Sequence, residues 1–103
     1  MDTDNLSNET YEAVILTAER FNHDLTLRFG CLSYECDGEE EYLLKAEQLI
    51  KRYLEEKNKE RLMDDIFFGN PPDEEGFQNA LLDILHNIEE VRKIPINNRH
   101  FEF

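Results

Sequence analysis

The sequence predicts an all-α fold, a small bundle of three long amphipathic helices and one short helix. Three observations predict it. Apolar residues recur at alternating steps of three and four in most of the chain, the period of a helix with one buried face. The one stretch that alternates like a strand, Leu25-Thr26-Leu27-Arg28-Phe29, has no second strand to pair with. A length of 103 residues, 40% hydrophobic and 11% aromatic, suits a single folding domain with one core.

The elements follow in order. Ser7 and Asn8 are N-cap residue types, and Tyr11, Val14, Ala18, Phe21 and Leu25 then keep helical spacing. Gly30 either ends this first helix or lies inside it, the helix then running through Leu32. Asp37 with Glu40 three residues later has the pattern of a capping box. The helix it opens carries Tyr42, Ala46, Leu49 and Tyr53 on one stripe, widened by Leu43, Ile50 and Leu54. Glu41–Lys45 and Glu47–Lys51 are i,i+4 pairs in the favoured order. From Glu55 to Glu60 the stripe gives way to charge, and Leu62, Met63, Ile66, Phe67 and Phe68 form a short apolar cluster, stopped by Gly69-Asn70-Pro71-Pro72. Asp73 caps the clearest helix, in which Phe77, Leu81, Ile84, Ile88 and Val91 keep four-three spacing. A Glu89–Lys93 pair is expected near its end, and Pro95 follows. The ends, residues 1–6 and 96–103, are expected to be extended or disordered.

The net charge is −13. Duplex DNA and anionic membranes are also negative, and tight binding to either needs a basic stripe. The eleven basic residues are interleaved with acids except at Arg92-Lys93, so neither nucleic acid nor membrane is an expected partner. A basic protein is, attracted over a Debye length of about 8 Å at physiological salt. Met1-Asp2-Thr3-Asp4 is unlike the basic start of a signal peptide. The longest aliphatic run, Ala13-Val14-Ile15-Leu16, is far short of the roughly 20 residues of a membrane span. Cys31 and Cys36, if helical, point about 140° apart and cannot bridge. A reduced, cytoplasmic setting is therefore expected.

Catalytic apparatus is not visible in the sequence. The acidic clusters Asp37/Glu39-Glu40-Glu41 and Asp73-Glu74-Glu75 stand where helices begin, and there the macrodipole favours acids. No EF-hand loop, phosphate-binding glycine loop, zinc spacing or Ser–His–Asp arrangement occurs. The pair His23-Asp24 lacks the other residues of a metal phosphohydrolase. Cys36 is flanked by Glu35 and Asp37, which disfavour a thiolate, and both cysteines read as small apolar fillers. No metal, cofactor or catalytic residue is expected. The alternative reading is a metal-dependent helical enzyme drawing on His86, Glu89 and Glu40. A third reading is a self-associating structural or regulatory protein, a homodimer through the Phe77–Val91 face.

The remaining constellation is Asp64-Asp65-Ile66-Phe67-Phe68. Neighbours on a helix differ by about 100°, so Phe67 and Phe68 cannot both face inward. An exposed aromatic beside two carboxylates has the makeup of a hot spot for a basic partner. Asp64, Asp65, Phe67 and Phe68 are the candidate partner-binding residues.

Over residues from about 37 to 93 the chain also resembles the immunity proteins of nuclease bacteriocins. The resemblance rests on Glu39-Glu40-Glu41 opening the second helix, on Asp64, Ile66, Phe67 and Phe68 in a short third helix, and on a proline before the last. It implies a small acidic four-helix protein that neutralises a nuclease by binding beside its active site. Departures are plain. The family's third-helix motif ends in two tyrosines and an immediate proline, whereas here two phenylalanines stand, with Gly69-Asn70 before Pro71. The first helix and the segment between the second and third are also longer here.

Overall fold

The computed structural model describes residues 1–101, and among them the regular structure is helical with no strand. The expected class holds, but with five helices. They are α1 (residues 8–21), α2 (His23–Leu32), α3 (Glu39–Glu55), α4 (Lys59–Ile66) and α5 (Glu74–Arg92).

The expected first helix is two. It breaks at Asn22, whose backbone is extended (φ −164°, ψ 137°) and whose Oδ1 accepts from Asp24 N–H at 2.8 Å, so Asn22 caps α2. The Leu25–Phe29 stretch is helical, and Gly30 lies inside α2. Ser7 caps α1 by accepting from Thr10 N–H at 3.2 Å. Within α1, Tyr11–Leu16 forms wide π-type turns. Asn87 of α5 uses this irregularity: its amide donates to Ala13 O at 3.3 Å and to Thr17 Oγ1 at 3.1 Å, a polar tie between α1 and α5.

Of two expected caps, one is corrected and one stands. The N-cap of α3 is Gly38 rather than Asp37, with no side-chain cap bond. Asp73 does stand at the N-cap of α5, again without a side-chain bond. Asn58 caps α4, accepting from Arg61 N–H at 3.1 Å. At the C-terminal end of α3, Lys59 donates to the carbonyls of Tyr53 and Leu54 at 2.9 Å each, placing a cation where unpaired carbonyls and the dipole favour one.

The core forms where the apolar stripes meet. α5 packs between α1 and α3, while α2 touches α1, α3 and α4. Phe77, Leu81, Ile84 and Ile88 are wholly buried and Val91 nearly so. That face is therefore the inside of the molecule, and a homodimer through it would require opening the bundle. Tyr42, also fully buried, donates its hydroxyl to Phe29 O at 2.8 Å, joining α3 to α2. Glu41–Lys45 (3.2 Å) and Glu47–Lys51 (2.9 Å) form as expected. Lys93 instead pairs with Glu90 at 3.0 Å, and Arg92 reaches Glu47 across α3 and α5.

At the chain ends, expected to be extended or disordered, Thr3–Asn5 and Ile96–Asn98 form short 3-10 turns, and both ends are tied to the body at a few points. Positions 102 and 103 lie outside the described residues. Leu6 is buried, and the terminal ammonium donates to Ser33 O (3.0 Å) and Cys36 O (2.7 Å). Arg99 is buried against Glu39 (2.8 Å) and also reaches Glu40 (2.7 Å). Asn8 N–H donates to His100 O at 2.7 Å, and His100 N–H donates to Glu9. These polar contacts dock the tail.

Candidate functional site

The end of α4 decides which aromatic faces outward. Met63 and Ile66 point into the core and the helix stops at Ile66. Phe67 then turns extended (φ −104°, ψ 131°) and drops its ring into an aromatic cluster, 5.4 Å and edge-on to Phe77 and 6.2 Å from Phe21. Extended backbone sends successive side chains to opposite sides, so Phe68 points away and is 79% exposed, more than the other large apolar residues. Phe67 is therefore corrected from contact residue to support: at 3% exposure it offers a partner no surface.

Phe68 is held from behind. Its N–H donates to Asp24 Oδ2 at 3.0 Å, so the first turn of α2 fixes the backbone that carries the ring. Gly69 follows at φ +84°, a left-handed conformation that glycine adopts without steric cost, and the chain turns away. Asp64 and Asp65, in the last turn of α4, are both exposed. Of the four expected residues, Asp64, Asp65 and Phe68 are at the surface, and Phe67 is not. Asp24, which the sequence reading set aside with His23, is the missed member. Its signal was its place in the first turn after an Asn cap.

A second feature was not foreseen. Between α2 and α3 runs a cleft of about 650 Å³, and its lining includes Arg28, Lys45 and Arg52. Lys45 is engaged, pairing with Glu41 and donating to Glu35 O at 3.0 Å. Arg28 and Arg52 both act on the Tyr53 hydroxyl, so they converge from different helices. Burial pushes the Tyr53 pKa up and the two guanidinium groups oppose that rise. Cys31, expected to be a filler, is exposed and lines the same cleft, while Cys36 is buried, which pushes its thiol pKa up. Both are free thiols.

The residues of the metal-enzyme alternative do not converge. Glu40 is bonded to Arg99, His86 and Glu89 are exposed on α5, and among the described residues no group of three His, Cys, Asp or Glu side chains has metal-holding geometry. No helix among those residues is long and apolar enough to cross a membrane. No family model, curated protein or solved structure matches this chain.

Proposed function

We propose that this chain is a non-catalytic protein-binding module, of inhibitor or immunity type, that engages a basic protein through Phe68, Asp64 and Asp65. The observation that carries the reading is Phe68. A phenylalanine left 79% exposed, yet tied through its backbone to Asp24, is a preorganised apolar anchor rather than a loose loop residue. The exposed carboxylates of Asp64 and Asp65, in the helical turn that precedes it, supply complementarity to cationic groups, and the net charge of −13 speeds the encounter with a basic partner. The resemblance to nuclease-bacteriocin immunity proteins over residues from about 37 to 93 supports the same class of partner.

The test begins with the basic proteins that the immobilised chain retains from extracts of its native cells at low salt. The retained protein is then purified and titrated against variants. Phe68→Ala and the pair Asp64→Lys/Asp65→Lys are expected to weaken binding by about tenfold or more each. Leu82→Ala, which removes another exposed apolar side chain on α5, leaves binding unchanged. Equal affinity across all variants, or retention of no basic protein at all, overturns the proposal.

A further inference from the structure

Arg28 and Arg52 are distinguished by their place: two helices bring them to the lining of one cleft. Acids outnumber bases 24 to 11, and Lys45, Lys51, Arg92, Lys93 and Arg99 are each paired with a carboxylate. Among the described residues Arg28 and Arg52 form no ion pair, although Asp65 is near enough to act on the same Tyr53 hydroxyl. They face one cleft from two helices. The three cations along that cleft meet only one lining carboxylate, Glu35.

We infer that the α2–α3 cleft is a binding site for a small molecule carrying a phosphate-type dianion, clamped between Arg28 and Arg52. The chemistry follows from the guanidinium group. It is planar, always charged, and presents paired N–H donors that match the oxygens of a phosphate. Two such groups without carboxylate partners balance two negative charges. Gln48 lies on the same stripe of α3 as Arg52, and its amide adds uncharged donor and acceptor capacity at the wall. A volume of about 650 Å³ is in the range of small-molecule sites. The overall charge of −13 repels anions at long range, so selectivity here comes from short, directional contacts. Phe68, Asp64 and Asp65 do not line this cleft, and phosphate binding is read apart from partner binding, so either can fail without the other.

Cys31, exposed on the cleft wall, reports on occupancy. The full chain is alkylated with the neutral reagent iodoacetamide during titration with inorganic phosphate or phenyl phosphate, sodium chloride holding the ionic strength constant. The expected result is saturable slowing of Cys31 alkylation by phenyl phosphate, with amide shifts in nuclear magnetic resonance spectra at Arg28, Gln48 and Arg52. Arg28→Gln/Arg52→Gln is expected to weaken the response about tenfold or more, while Arg61→Gln leaves it unchanged. Both arginines are exposed, so the double variant keeps its fold, which circular dichroism checks. Slowing by sodium chloride alone, the same protection in the double variant, or no saturation by either phosphate overturns the inference.

Discussion

Arg99 and Glu39, sixty residues apart in the chain, form an ion pair at 2.8 Å in which each side chain is only 3% exposed. The second Glu39 oxygen accepts from Ser7 N–H at 2.6 Å, so one carboxylate joins the tail, the start of α3 and the entry to α1. Burial works against the Arg99 charge, but the bonds to Glu39 and Glu40 outweigh it and hold its pKa above the ordinary value. Removing one partner leaves the other charge stranded. Arg99→Ala is therefore expected to cost about 3–5 kcal/mol, a large part of the stability of a domain this size. Glu39→Gln/Arg99→Met, which removes both charges, should cost less than Arg99→Ala alone. Urea unfolding of the three proteins decides it, and a double variant weaker than Arg99→Ala would refute the account.

The neighbouring contact gives a pH dependence. Burial pushes the Glu9 pKa up, but the bonds from the His100 ring and backbone N–H outweigh it and hold the carboxyl below its ordinary value of 4.5. The unfolded chain then binds this proton more readily than the folded one. The contribution is fully present above the unfolded value and is lost as pH falls through the lower folded value. Acid also relaxes the repulsion among the many carboxylates, so total stability hides the effect. The difference between the protein and Glu9→Gln isolates it. That gap in urea midpoint is expected to close on acidification through and below pH 4.5, and a constant gap would count against the His100 clamp.

Phe67 and Phe68 should separate stability from binding. Phe67→Ala empties the space between Phe21 and Phe77 and is expected to cost about 3–5 kcal/mol. Phe68→Ala removes a ring that already lies in water and should change stability by no more than about 0.5 kcal/mol. Thermal unfolding checks both, and a large loss in Phe68→Ala would place the ring against the core instead of at a partner surface.

Helix α5 was legible because its stripe is strictly periodic and every member is buried. The i,i+4 pairs of α3 were legible because both partners lie on one element. The break at Asn22 was not. Tyr11, Val14, Ala18, Phe21 and Leu25 keep their spacing across it, so the apolar pattern gives no sign of a turn, and only Asn22 followed by Asp24 marks the new start. The tail misled for a different reason. Polar residues at a chain end read as solvent-facing, yet Arg99 finds its carboxylates sixty positions away. The cleft was hidden in the same manner, because Arg28 and Arg52 lie on different helices and only packing of α2 on α3 brings them together. At the Phe68 face, helix geometry required the two aromatics to diverge, but which one faces outward depends on where α4 stops.

The Asn22 cap is also what positions the Phe68 anchor. Its Oδ1 accepts from Asp24 N–H, and Asp24 in turn accepts from Phe68 N–H, so a loop and a helix start are linked through two consecutive bonds. Asn22→Ala removes the cap and is expected to cost about 1 kcal/mol, whereas Asn22→Asp, which retains an acceptor, costs little. Asp24→Ala leaves the first bond in place but strips the Phe68 N–H of its acceptor. Hydrogen exchange at the Phe68 amide should therefore quicken in Asp24→Ala and, to a smaller degree, in Asn22→Ala, while exchange at Leu81 and Ile84 in the core follows global stability alone. If Phe68 exchange tracks global stability in all three variants, the ring is not held through Asp24, and its preorganisation must come from elsewhere in the turn.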